Sequence, residues 1–180
     1  MKVNFSINQI ASLRAQSIDP DLQQGVCTAM VIDWLKRELN GEPQRYSYYR
    51  NAYQFASRQR GLEVRNLMRN PSGPIFKSER LQSMVWAPIG YSQFVDELLP
   101  VRTGVFIIDL IPFDISGESH CLGLSIAKGK YKLLDPNYAE YQAGNISNGT
   151  QALSEFMRHM QEHYYNRGLK RIKITELWQE

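Results

Sequence analysis

The chain has 180 residues, 43% of them hydrophobic and 11% aromatic, which suits one globular domain with a real core. Its net charge of +3 comes from interspersed lysines and arginines, which gives little reason to expect a nucleic-acid partner. No apolar run reaches the roughly 18 residues of a transmembrane segment, and Met1–Ile10 lacks a signal-peptide core, so neither a membrane span nor Sec export is expected.

The first predicted elements are helices. A short helix lies within residues 1–22, and a second covers about residues 26–40, where apolar residues after Cys27 recur at the spacing of one helical face. These residues are Met30, Val31, Trp34 and Leu35. A thiol in the first turn of a helix lies at the positive end of the macrodipole, which favours the thiolate. Cys27 is therefore a candidate nucleophile, although a buried core cysteine explains the same pattern.

Residues 46–60 are rich in tyrosine and arginine, a combination that can stack on single-stranded bases. The segment also fits an amphipathic helix whose arginines reach solvent, and this explanation needs no ligand. The face of that helix would consist of Tyr49, Ala52, Tyr53 and Ala56. We therefore expect no nucleic-acid site here.

The next segment, residues 69–90, is rich in proline and glycine and is predicted to be a long loop that could form the rim of a binding cleft. Ser92 then has the chemistry of a helix N-cap. It would begin a short helix whose apolar face is Phe94, Val95, Leu98 and Leu99, and Pro100 would end it. The helical half of the chain ends here.

The second half of the chain has strand patterns. Residues 104–111 form a continuous apolar run, which predicts a buried strand. Residues 120–127 and 130–134 flank Lys128-Gly129, a turn signal, and are predicted to form a β-hairpin.

A helix over residues 150–164 and a half-exposed strand over residues 171–175 complete the chain. Helices thus come first and antiparallel strands second. This order predicts an α+β fold, in which an N-terminal helical part that contains the Cys27 helix packs against a C-terminal antiparallel sheet.

The hairpin predicts which side chains share a face of the sheet. If the two residues between its strands are the whole loop, Ala127 pairs with Lys130, and His120 and Asp135 become diagonal neighbours on one face. A register shorter by one pair places them directly opposite, whereas an odd slip separates them. A carboxylate beside a histidine fixes its tautomer and stabilises its imidazolium. The two residues are therefore a candidate base for Cys27 and its orienting acid.

Metal binding explains these residues less well. A zinc site of Cys27, His120 and Cys121 would need both faces of one strand, because Cys121 points away from His120 and is expected in the core. His159 and His163, four apart on the late helix, could form half a metal site. No glutamate completes that pattern, so a solvated helix face is expected. We expect no metal and no cofactor.

Three motifs give the chain a resemblance to the YopT-type cysteine peptidases, bacterial effector proteases of the papain-like superfamily. The first is Gly25-Val26-Cys27, which opens a helix that contains the pair Trp34-Leu35. The second is His120, which begins a strand of small and apolar residues. The third is Leu133-Leu134-Asp135-Pro136-Asn137, whose aspartate follows the histidine by fifteen residues. Together they cover roughly residues 23–142.

The resemblance implies a papain-like fold in a single domain over residues 1–180. It also implies peptide-bond hydrolysis by a triad of Cys27, His120 and Asp135 through a thioester intermediate. The oxyanion site would then consist of the Cys27 backbone N–H and a side-chain amide upstream, for which Gln23 and Gln24 are the candidates.

The resemblance implies a protein substrate in a target eukaryotic cell, delivery by a type III-like route without a Sec signal, and action in the host cytoplasm. A secretion chaperone is a further partner that it suggests, and a monomer is expected. Without the resemblance, two cysteines and no leader suggest a reducing compartment, the cytoplasm. Two alternatives stay open: a transglutaminase, deamidase or acyltransferase with the same triad, and a non-catalytic peptidase-like binding module.

Overall fold

The computed structural model describes residues 1–15, 26–59, 80–101, 103–113, 119–143 and 148–179. Within these ranges the strands are Lys2–Ser6 (β1), Leu81–Val85 (β2), Gly104–Pro112 (β3), His120–Ala127 (β4), Lys130–Asp135 (β5), Ala139–Ala143 (β6) and Leu169–Gln179 (β7). The α-helices are Gln9–Ala15 (α1), Cys27–Asn40 (α2), Tyr46–Tyr49 (α3), Phe94–Leu98 (α4) and Gly149–Tyr164 (α5). Short 3-10 turns cover Ala52–Phe55, Tyr91–Gln93 and Tyr165–Arg167.

These seven strands form one antiparallel sheet in the order β1-β6-β5-β4-β3-β7-β2. Helix α2 packs on one face of it and α5 on the other, so alternate residues of β4 divide between two cores. Cys121 belongs to the core that contains α2, whereas Leu122 belongs to the core that contains α5. Burial on both faces explains the nearly continuous apolar sequence of β4. The predicted packing of the Cys27 helix against an antiparallel sheet is present.

Gly123 allows α2 to lie close to the sheet. A Cβ at this position would be 2.9 Å from Cε3 and 3.1 Å from Cζ3 of Trp34. Trp34 is fully buried on α2, and its indole N–H donates to Oε2 of Glu140 at 2.6 Å. The contact between Gly123 and Trp34 holds α2, which begins at Cys27, against β4, which begins at His120.

The hairpin of β4 and β5 has the predicted register. Ala127 pairs with Lys130. Both residues of the Lys128-Gly129 loop have positive φ, 48° and 75°, as a two-residue type I′ turn requires. Because side chains alternate along each strand, His120 and Asp135 lie on the same face of the sheet.

Three strands among the described residues, β1, β2 and β6, are not among the predicted elements. β2 lies within residues 69–90, so the prediction of a loop is wrong for Leu81–Val85. Met84 and Val85 of this strand are exposed, so β2 has no regular buried face, and its conformation is set by pairing with β7. The preceding part of the predicted rim lies outside the described residues, which resume at Arg80.

Two local predictions in the helical half are wrong. Residues 46–59 do not form one continuous helix, because α3 ends at Tyr49 and a separate 3-10 turn begins at Ala52. Tyr53 is 53% exposed, whereas the predicted helix would place it on one face with Tyr49. Ser92 lies inside the 3-10 turn Tyr91–Gln93 that begins after Gly90, so it does not cap α4.

The two C-terminal elements match their predictions in kind. Helix α5 covers nearly the predicted residues, and β7 extends beyond residues 171–175 at both ends because it pairs with β3 on one side and β2 on the other. No helix among the described residues has the length and apolar character that crossing a bilayer requires.

Candidate active site

Cys27 is the first residue of α2, so its side chain lies at the positive end of that helix. The side chain is buried. Three neighbours interact favourably with a charge on its sulfur: the His120 side chain, the Cys121 backbone and the Thr28 side chain. A negative charge on the sulfur would therefore be well stabilised.

The pKa of the Cys27 thiol is lowered from its ordinary value of 9.0. Burial alone would raise this pKa, but the interactions of the sulfur with His120, with the Cys121 backbone and with the Thr28 side chain together outweigh burial. The thiolate is thus favoured below the pH at which a free cysteine ionises.

The neighbouring thiol has the opposite shift. Burial and the nearby charges of Asp109 and Cys27 raise the pKa of Cys121 well above 9.0. Asp109, which lies near the Cys121 thiol, forms an ion pair with Lys173 at 3.2 Å. Cys121 is therefore a protonated core residue, and its environment does not suit a nucleophile.

His120 connects the sulfur to a buried carboxylate. Nε2 of His120 lies 3.1 Å from Oδ1 of Asp135, which leaves Nδ1 as the ring nitrogen for Cys27. Burial alone would lower the pKa of His120, but hydrogen bonds to Asp135 and Cys27 raise it to about 10. At neutral pH the arrangement therefore favours a thiolate beside an imidazolium.

Asp135 is fully buried and accepts hydrogen bonds from four residues. Besides His120, they are Nε2 of His159 at 2.8 Å, the Tyr164 hydroxyl at 2.8 Å from both carboxylate oxygens, and the backbone N–H of Asn137 at 3.0 Å. Burial alone would raise the pKa of Asp135, but the bonds from His120 and His159 lower it below 3.8. Asp135 is thus an ionised acceptor whose orientation is set from several sides.

The prediction of a solvated helix face is wrong for His159, which is only 4% exposed. Its ring packs beside Tyr141 at 4.7 Å and His163 at 4.5 Å, because α5 lies across the end of the hairpin. The position three residues after Phe156 on an amphipathic helix could have indicated this burial. Within the described residues, no group of three or more His, Cys, Asp or Glu side chains is arranged to hold a metal ion.

Gln9 is a second residue that the motifs do not indicate. This residue of α1 is 1% exposed. Its Oε1 accepts a hydrogen bond from the backbone N–H of Val26 at 2.7 Å, and its Nε2 donates to Oδ1 of Asn137 at 2.8 Å. One side chain thus contacts both the residue before Cys27 and the turn after Asp135.

The oxyanion candidates Gln23 and Gln24 lie outside the described residues, as does Gly25 of the first motif. Their roles stay predictions. The structure brings together the three other predicted site residues, Cys27, His120 and Asp135.

No protein-family model and no curated protein matches this sequence. Among solved structures, the fold is similar to the crystal structure of the Pseudomonas avirulence protein AvrPphB, with a TM-score of 0.57. The match covers 92% of this chain and 98% of that chain at 16% sequence identity. At this identity the likeness concerns the fold alone. It confirms the predicted fold class, a papain-like α+β fold.

Proposed function

We propose that the protein is a cysteine peptidase that hydrolyses a peptide bond in a protein substrate. Cys27 is the nucleophile, His120 the general acid and base, and Asp135 the residue that orients His120. The observation that carries this proposal is the position of His120 between two groups: buried Asp135, whose Oδ1 lies 3.1 Å from Nε2 of His120, and the Cys27 thiol, whose charge raises the pKa of His120. A thiolate beside an imidazolium is the state that nucleophilic attack on an amide requires.

The Cys27 thiolate attacks the carbonyl carbon of the scissile amide, a C–S bond forms, and the electron pair moves to the carbonyl oxygen. The Cys27 backbone N–H and a side-chain amide from Gln23 or Gln24 are the proposed donors to that oxygen. His120 then gives its proton to the leaving nitrogen, the C–N bond breaks, and a thioester remains. Neutral His120 takes a proton from water, whose oxygen attacks the thioester. The acid product leaves, and the thiolate and imidazolium are restored.

The motifs shared with YopT-type peptidases extend the proposal to a single peptidase domain over residues 1–180. By the same resemblance its substrate is a protein of a target eukaryotic cell, which it reaches by a type III-like route, and a secretion chaperone is a second partner. The fold neighbour is an avirulence protein of Pseudomonas, which supports a role between a bacterium and a host. We propose that the protein acts as a monomer.

The test compares new protein N-termini in a eukaryotic lysate treated with the wild-type protein, Cys27→Ala or Cys121→Ala. Cys121→Ala is the matched control because it removes the other cysteine, whose thiol is protonated. New N-termini are expected with the wild type and the control but not with Cys27→Ala. Equal profiles for all three proteins would refute proteolysis. A deamidated or conjugated partner protein would instead indicate the same triad with another acyl acceptor.

A further inference from the structure

We infer that Gln9 is a positioning residue that holds the Cys27 end of α2 against the turn that carries Asp135. This role rests on the proposed function, because it concerns the distance between the nucleophile and its base. Gln9 contacts neither Cys27 nor His120 through a hydrogen bond that the structure records. Its effect on the site is therefore exerted through Val26 and Asn137.

The backbone before and at Gln9 is attached to the Asp135 turn. The N–H of Ile7 donates to the carbonyl of Tyr138 at 2.7 Å, and the N–H of Gln9 donates to the carbonyl of Pro136 at 3.2 Å. The backbone of Gln9 is thus anchored at the turn, and its side chain extends from there to the start of α2.

The chemistry of the backbone sets the direction of each hydrogen bond in this bridge. The Val26 N–H can only donate, so the atom of Gln9 that faces it must be Oε1. Nε2 of Gln9 must then donate to Oδ1 of Asn137, whose Nδ2 donates to the Tyr164 hydroxyl at 3.3 Å. The Tyr164 hydroxyl in turn donates to Asp135. A directed chain therefore runs from the start of α2 to the acid.

The first turn of α2 is held by two glutamines from outside the helix: Gln59 Oε1 accepts from the Ala29 N–H at 3.1 Å, and Gln9 Oε1 accepts from the Val26 N–H. Val26 is the N-cap residue of α2, and its side chain makes no capping hydrogen bond. Loss of the Gln9 amide would leave the Val26 N–H and the Asn137 carboxamide without these partners in a buried region. The start of α2 could then move relative to His120, and a shift of about 1 Å at a catalytic group can cost roughly 100-fold in rate.

The experiment measures the pH dependence of Cys27 alkylation by iodoacetamide in the full chain, with Cys121→Ala as the common background. Gln9→Met keeps the side-chain length and removes both hydrogen bonds. We expect its alkylation midpoint to rise by about one pH unit, because the thiolate loses part of its contact with the imidazolium. Cleavage in the lysate is expected to fall by roughly 100-fold.

Asn8→Ala is the matched control. Asn8 is the exposed neighbour of Gln9, and its Oδ1 caps α1 through the Ala11 N–H at 3.0 Å. This variant loosens the same helix without touching the bridge, so its alkylation midpoint should equal that of the background protein. A second test variant, Gln9→Asn, keeps the amide but is too short to make both bonds, and it should shift the midpoint as Gln9→Met does.

A folded Gln9→Met or Gln9→Asn protein with an unchanged midpoint would overturn the positioning role. So would failure of both variants to fold, because Gln9 would then serve stability. A low midpoint in the wild type without any cleavage would refute the peptidase proposal while the Gln9 shift stayed measurable. An ordinary thiol midpoint in the wild type would overturn both proposals.

Discussion

Nε2 of His159 lies 2.8 Å from Oδ2 of Asp135, whereas His120 contacts Oδ1. The buried carboxylate therefore has a histidine on each oxygen, and only one of them faces the candidate nucleophile. The second histidine supplies a donor that keeps Asp135 ionised in a site that excludes solvent. His159 thus supports the acid without belonging to the proposed triad.

Replacement of His159 by phenylalanine keeps a ring in this place and removes the donor to Asp135. The free energy of unfolding should fall by about 1–3 kcal/mol, because a buried acceptor loses a partner. Urea unfolding at neutral pH measures the change. His163→Phe is the control, since half-buried His163 lies on the same helix and its ring packs beside Tyr138 at 4.2 Å. An equal loss in both variants would contradict the special role of His159.

The same variant should alter acid unfolding. The folded pKa of Asp135 lies below 3.8, so this carboxylate contributes stability that is present above about pH 3.8 and is lost as the pH falls toward the folded value. In His159→Phe the folded pKa of Asp135 rises toward 3.8, so this contribution is smaller. Unfolding curves measured from neutral to acidic pH should therefore show a weaker acid dependence. An unchanged acid dependence of unfolding would argue against the hydrogen bond from His159 to Asp135.

Replacement of Asp135 by asparagine should abolish most activity. The Asn side chain has a similar shape, but its amide nitrogen would take the place of one carboxylate oxygen and face the donor of one histidine, His120 or His159. The pKa of His120 should fall, and kcat/KM should fall by about 10²–10⁴, the scale known for loss of the orienting acid in a triad. Asp109→Asn is the control, because Asp109 pairs with Lys173 instead. A His120 titration by NMR that does not move in Asp135→Asn would refute the assignment.

The pH profile of cleavage should have two limbs. The acid limb should lie below pH 9.0, because the pKa of Cys27 is lowered from that value. The basic limb should lie near pH 10, where His120, whose pKa is raised from 6.5, loses its proton. In Cys27→Ala, NMR titration should give a lower His120 pKa, because the thiolate that raises it is gone. A single alkylation midpoint near that of a free thiol would contradict the ion pair.

Gly123→Ala should disturb the site from a distance. Its Cβ would press on the buried Trp34 ring at 2.9 Å, and overpacking of this kind costs about 1–3 kcal/mol. Displacement of α2 should also raise the pKa of Cys27, which alkylation measures. Gly90→Ala is the control, since the atom nearest to its added Cβ, Oε1 of Gln93, would be 3.7 Å away. A Gly123→Ala protein with wild-type stability would show that the Trp34 contact is not tight.

The hairpin shows what the sequence could predict about the site. A two-residue turn and the alternation of side chains determine the register, so His120 and Asp135 could be placed together without coordinates. Cys27 followed from helical spacing and its position in the first turn. These signals are local or have a fixed period, which makes them readable along the chain.

The rest of the site depends on contacts that no local pattern encodes. Gln9 has partners 17 and 128 residues away in the sequence. A histidine at helical spacing, such as His159, is compatible with a solvent-exposed or a buried helix face, and only the packing of α5 distinguishes the two. The short edge strand β2 is likewise ordered by its partner β7, since its own sequence shows no clear alternation. Strand β1 differs, because its sequence from Lys2 to Ser6 alternates polar and apolar residues and could have indicated a strand.

The bridge from Gln9 to Tyr164 has a consequence for synthesis of the chain. Ribosomes make Gln9 and Cys27 early, but their partners at Asn137, Asp135 and Tyr164 emerge much later. His159 and Tyr164, which donate to the buried acid, lie on α5. The full set of contacts around Asp135 can therefore form only after the ribosome has made α5.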